Sequence, residues 1–293
     1  GCYGWGFTTV APQDGRIVHR DTIQLGLSGF SHALLLTGDR SYAAPWSEMI
    51  DLINENGRED NGRMVYPNKY GDDGWYNYTP NPYNIGAMET WYWSMSEEAR
   101  ARCPDDAWLS YLSGENPNYP EEALHADLAS VREKVDWVRN DTMTPDTRLS
   151  DNTNAVNPAT PGALFQQTMG GPAPKRAQAV HCMFRYFDPA TRRPGLPEDV
   201  AALVDTVGEE RSAVTLVNLN PVYPAEVIIQ GGAYREHALK SVTVGRDETE
   251  GNGGTVEVAG DYLKLLLAPG SGARFEITME RYANRPTFDF PWS

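Results

Sequence analysis

The spacing of apolar residues changes period once along this chain, from the three-to-four-residue beat of helices to the two-residue alternation of strands. Ile23, Leu27, Phe30 and Leu34 follow i, i+4, i+7, i+11 and predict an amphipathic helix. Gly38 supplies its stop, and Asp39 with Ser41 can cap the next helical segment. A second stripe, Tyr42, Trp46, Met49 and Ile53, runs to Gly57, with Pro45 tolerable only in the first turn. So short a connection predicts an antiparallel helical hairpin. Ile85, Met88, Tyr92 and Met95 form a third stripe. In a fourth, Pro120 takes the first position, Glu121 and Glu122 the first turn, and Leu124, Leu128, Val131, Val135 and Val138 the apolar positions. A polar connection follows Asn140, then a short helix near Ala163–Met169.

From His181 onward the segments HCMFRYF, SAVTLVNL, AEVIIQG, LKSVTVG, GTVEVAG, YLKLLLA and ARFEITMER alternate with period 2 between Gly, Pro and Asn punctuation. That rhythm predicts an antiparallel β-sandwich. The expected fold is therefore α+β and multidomain, helical over residues 1–175 and a sandwich over 176–293, with GGPAPKRAQ at the boundary.

Between the second and third helical stripes the pattern breaks. Residues 62–95 hold nine of the chain's 23 Tyr and Trp residues, with Asp72, Asp73 and Glu89 among them. Sugar rings offer apolar faces and a rim of hydroxyls, which aromatic rings and carboxylates respectively suit. Because the neighbours are Gly, Asn, Pro and Asp rather than aliphatic residues, this stretch reads as an ordered, ligand-facing loop. The alternative is a structural loop pinned by Tyr hydroxyls.

Composition narrows the classes. A formal charge of −15 without clustered Lys and Arg argues against nucleic acid as a partner. No apolar run reaches the roughly 18 residues of a membrane span. Cys2, Cys103 and Cys182 are too few and too scattered for a disulfide framework or a zinc site. No HExxH, GxGxxG or GxSxG pattern occurs, so neither a metal nor a nucleotide cofactor is expected.

The run FSHALLLTGDRSYAAPWSEMIDLINENG resembles the helical hairpin of α/α-toroid proteins, in which a TGD-x-x-Tyr turn joins two helices. Many glycoside hydrolases and polysaccharide lyases share that fold, and several carry a C-terminal β-sandwich. The resemblance covers about residues 23–57. It implies a partial toroid followed by the sandwich, hence a carbohydrate-active enzyme portion, and no family residue is carried over by position. The opening Gly-Cys-Tyr-Gly-Trp lacks Met. A C-terminal portion, its helical layer completed by further N-terminal helices or a second chain, is the expectation, with export to the periplasm or exterior.

Hydrolysis of glycosidic bonds is the leading expectation, ahead of elimination, because carboxylates outnumber basic groups around the aromatic stretch; it needs two carboxyl groups flanking the scissile bond. The candidates are Asp72 and Asp73 between Gly71 and Gly74, Glu89 on the following helix, and Asp21 before the first helix. Tyr66, Tyr70, Trp75, Tyr76, Tyr78 and Trp91 would bind the sugar, with Arg20 and the rings of Tyr3 and Trp5 as further contacts. A lyase would use a Tyr or His base and cations or amides to neutralise a uronate, parts that His19, Arg20, Tyr66, Asn68, Lys69 and Tyr70 could supply. A non-catalytic glycan-binding or surface-assembly protein, or a toroid enzyme acting on a small non-sugar molecule, would use the same aromatics. His32 and His125 read as helix residues, and His181 and Arg185 as contacts between the two parts.

Overall fold

The computed structural model describes residues 8–10, 17–19, 25–71, 73–144, 157–174, 178–245 and 254–293. The chain folds as α+β. It opens with a two-stranded ribbon, β1 (Thr8–Val10) paired antiparallel with β2 (Ile17–His19). Helix α1 (Leu25–Thr37) buries Leu27, Ser31, Leu34 and Leu35, the i, i+4, i+7 face that the spacing predicts. It ends at Gly38, whose φ of +71° places it in the left-handed region that glycine reaches without strain. Asp39 then accepts a hydrogen bond from the Ser41 amide (2.9 Å) and caps a 3-10 turn, Arg40–Ala43. Helix α2 (Ala44–Asn54) starts with Pro45 in its first turn and buries Trp46, Ile50 and Ile53.

The aromatic stretch is where expectation and structure part. It is no loop. Strands β3 (Arg58–Asp60), β4 (Arg63–Gly71) and β5 (Gly74–Thr79) form an antiparallel sheet, with Gly71 paired to Gly74 where the β4–β5 hairpin closes. Tyr, Trp, Val and Thr prefer a pleated, half-buried surface, and here they supply Val65, Tyr66 and Tyr70 of β4 and Trp75, Tyr76, Tyr78 and Thr79 of β5. Helices α3 (Ala87–Ser94), α4 (Glu97–Ala101) and α5 (Ala107–Leu112) follow, the last two unmarked by any stripe. Ser96 and Asp106 cap them.

Helix α6 (Tyr119–Arg139) begins as Pro120 predicts, but its apolar stripe is not core. Leu124, Leu128, Trp137 and Val138 are exposed, and of its residues only Tyr119 is buried. Polar contacts hold it to α7 (Gly162–Met169): Tyr119 donates to Gln166 (2.8 Å), Gln167 to the Pro120 carbonyl (2.9 Å), and the Ala163 amide to Asp127 (2.9 Å).

Two larger antiparallel sheets complete the chain. One has the order β13-β10-β6-β7, from β6 (Phe184–Asp188), β7 (Arg193–Pro194), β10 (Ala225–Gly231) and β13 (Tyr262–Leu267). The other has the order β12-β11-β14-β9-β8, from β8 (Val200–Thr206), β9 (Arg211–Asn218), β11 (Ala238–Gly245), β12 (Thr255–Glu257) and β14 (Gly272–Glu280). The seven alternating segments all supply strands. β8 escaped the pattern because its VAALVDT is softened by Ala and Asp. Val227, Ile229 and Leu263 of the first sheet and Val214, Leu216 and Ile277 of the second belong to one hydrophobic cluster, which continues into Leu27, Trp46, Trp93 and Trp108 of the helices. No helix among the described residues is long and apolar enough to cross a membrane.

Candidate functional site

The β4–β5 hairpin presents the aromatic residues in two sets, because paired residues of an antiparallel ladder share a face. Tyr66 with Thr79, and Tyr70 with Trp75, lie on one face; Pro67 with Tyr78, and Lys69 with Tyr76, lie on the other. On the first face the Tyr70 and Trp75 rings meet edge to face, centroids 4.9 Å apart, half-buried against the core. Beside them Asn77 donates to the Asn68 side-chain oxygen (2.5 Å). On the second face Tyr76 is 43% exposed, and the Arg58 guanidinium covers the Tyr78 ring at 3.9 Å.

The base of the hairpin is fixed to α2. Asn54 donates to the Tyr83 carbonyl (3.0 Å) and accepts from the Tyr83 amide (2.8 Å). The Tyr66 ring lies so close to Gly57 that a Cβ there would come within 3.0 Å of it. Trp46 donates to the Ile85 carbonyl (2.7 Å). Between these anchors lies a cleft of about 220 Å³, walled by Pro67, Tyr83 and Ile85 and fringed by Asn68, Thr79, Asn81 and Asn84. Its lining carries amides, a hydroxyl and apolar faces, and no ionisable carboxylate or cation.

Of the predicted acids, the described Asp73 and Glu89 do not line that cleft. Asp73 is exposed at the hairpin turn. Glu89 is only 4% exposed, buried in the first turn of α3. The structure gives the two carboxyls separate surroundings. Trp91 is also core: it is buried edge to face against Trp108 (6.2 Å) with Arg100 over its ring. His19 ends β2, paired with Thr8, while Tyr3, Trp5, Arg20, Asp21 and Asp72 lie outside the described residues. His32 is tied by Nδ1 to the Ser28 carbonyl (2.6 Å), and His125 is exposed on α6. Among the described residues no cluster of His, Cys, Asp and Glu could hold a metal ion.

A second polar constellation escaped the sequence reading, apart from His181. Where α1 and α3 meet the larger sheets, His181 Nε2 lies 2.7 Å from Ser31 Oγ and its Nδ1 3.3 Å from the Tyr282 hydroxyl. His181 therefore joins the helical and sheet parts, as expected of it. Arg185 does not; it donates to the Ala233 carbonyl (3.0 Å) within the sheet part. The Tyr282 amide donates to His237 Nδ1 (3.1 Å), and Arg281 donates to the Tyr92 carbonyl (2.6 Å) between the Tyr92 and Tyr282 rings. Burial, reinforced by Arg281, lowers His181 to about 3 and pushes His237 well down, so both are neutral. Burial also raises Glu236 to about 7, although the Ala233 and Tyr234 amides (3.2 and 2.7 Å) and Arg281 favour its charged form. These residues sit singly at strand ends, and no spacing in the sequence links them.

Residues 100–165 match a family described as a domain of unknown function, DUF8034. No curated protein and no solved structure matches the chain. The matched stretch takes in α5, α6 and the start of α7, and leaves the aromatic hairpin outside it.

Proposed function

We propose that the chain is part of a carbohydrate-active protein whose glycan-contacting element is the β4–β5 hairpin with the cleft at its base. The observation that carries this reading is the pairing of the Tyr70–Trp75 rings with the Asn68–Asn77 amides along the hairpin. Rings stack on the apolar face of a sugar while neighbouring amides exchange hydrogen bonds with its hydroxyls. A cleft of three Asn side chains and a Thr, without a carboxylate or a cation, suits a neutral, hydroxyl-rich ligand better than a charged one. Binding is thus the reading the geometry supports best.

Hydrolysis is the second reading, favoured by Asp73. The register of β4–β5 puts this exposed carboxyl at the turn next to the Tyr70–Trp75 pair, where an acid could reach a stacked sugar. The fold reading that accompanies both is a partial α/α toroid to residue 175 with a β-sandwich from 176. The glycine-stopped α1 and the capped TGD turn leading into α2 support it. The test is a panel of neutral and acidic oligosaccharides incubated with the full chain. Saturable binding of a neutral glycan, without product, is expected. New reducing ends would move the assignment to hydrolysis, and absorbance from an unsaturated uronate would move it to elimination. No binding and no product would sink the reading.

A further inference from the structure

Away from the hairpin, a pocket of about 350 Å³ opens where the 3-10 turn of the helical part meets the ends of β9, β11 and β14. Its innermost wall is Arg281, whose side chain is 0% exposed. One arm of its fork is used: Nη2 bonds the Tyr92 carbonyl (2.6 Å) and the Tyr282 hydroxyl (3.3 Å). Nε and Nη1 have no hydrogen-bond partner among the described residues, and neither does Glu209 Oε2, which lies 3.5 Å from Nη1 without bonding geometry. A buried guanidinium with half its fork unsatisfied is costly, since desolvated donors lose water without a replacement.

Glu209 is drawn aside by Arg40, which holds its other oxygen from the pocket rim. The carboxylate is 41% exposed, so it can leave without uncovering apolar core. Lys240 adds a second rim cation, itself paired with Glu280 (2.9 Å). We propose that this pocket is a binding site for a small oxyanion, a carboxylate or a phosphate group, taken up by Arg281 and Arg40 in place of Glu209. The fork of a guanidinium matches two oxygens of either group, and Glu209 marks, at a poor distance, where one of them belongs. Neutral glycan binding at the hairpin does not depend on it.

The test is thermal denaturation of the full chain against inorganic phosphate and, separately, acetate, with sodium chloride holding ionic strength constant. Saturable stabilisation of about 4 °C at 100-fold excess over the dissociation constant is expected from one of the two. Response to acetate alone identifies a carboxylate ligand, and response to phosphate alone a phosphate. Glu209→Gln, which frees both arginines, should tighten binding several-fold, and Lys240→Ala should weaken it while folding normally. Arg281→Met should abolish it, and if that variant does not fold, the opposite responses of E209Q and K240A decide. A response no greater than that to chloride, with only water on Arg281, would overturn the proposal, as would weaker binding in E209Q.

Discussion

Ser31 Oγ and His181 Nε2 stand 2.7 Å apart although 150 residues of chain separate them, and both side chains are buried. With His181 held neutral, one ring nitrogen donates and the other accepts, so the imidazole is satisfied only when both Ser31 and Tyr282 are in place. Ser31→Ala leaves one nitrogen unpaired in the interior. The expected loss is about 1–3 kcal/mol, read as a lower urea midpoint at unchanged slope.

Acid should act through the same histidine. Its folded value of about 3 lies below the 6.5 of the unfolded chain, so on acidification the unfolded state takes the proton first. Stability is lost as pH falls from 6.5 towards 3, and His237 pulls the same way. Glu236 opposes them. Its folded value near 7 lies above 4.5, so its contribution is full below 4.5 and disappears as pH rises to 7. Thermal melts from pH 4 to 8 should therefore peak near 6.5. Glu236→Gln should remove the decline above that peak and steepen the acid limb; an unchanged profile would refute the assignment.

Gly86 precedes α3 at φ +82°, and a Cβ there would sit 2.4 Å from Trp46 Nε1 and 2.9 Å from a Leu27 methyl. Gly86→Ala combines left-handed strain with the loss of the Trp46–Ile85 hydrogen bond. Destabilisation of at least about 2 kcal/mol is expected. Gly29, exposed on α1 with nothing within 4 Å of such a Cβ, is the control: Gly29→Ala should stabilise by about 0.5–1 kcal/mol. Calorimetry on the pair measures both.

If the hairpin contacts glycan, Trp75→Ala should weaken binding of the best neutral oligosaccharide about tenfold or more, whereas Leu266→Ala, at an exposed position of β13, should not. Asp73→Asn separates the two functional readings: it should leave affinity intact and abolish any release of reducing ends. Titration calorimetry and a reducing-sugar assay supply the two readouts.

Periodicity carried the local elements well wherever one face was buried. Leu27 and Leu34, Trp46 and Ile53, and the alternating Val227 and Ile229 all lie where their spacing puts them. It misled at α6, since a stripe such as Leu124–Leu128 reports a helix but not a neighbour to cover it. It also missed the hairpin, because Gly, Asn and Pro among the rings look like loop when read one at a time, and only the Gly71–Gly74 spacing marks the turn. At the candidate site, composition singled out Tyr70 and Trp75, which the structure pairs, but did not separate the buried Glu89 from the exposed Asp73. Whether a carboxyl faces a cleft depends on packing that no local pattern encodes. The Ser31–His181–Tyr282 network and Arg281 were illegible for the same reason, being assembled from α1, the start of β6 and the end of β14.

The single cluster running from Leu27 and Trp93 to Leu216 and Ile277 has a practical corollary for truncation. An expression boundary placed between residues 174 and 178, where the hydrophobic period changes, would strip Tyr282 and His181 from one half and Tyr92 and Ser31 from the other. Each piece would bear a bare apolar wall and a set of desolvated polar groups with no counterpart. Neither should stay in solution alone, and co-expressing both should rescue them by reassembly.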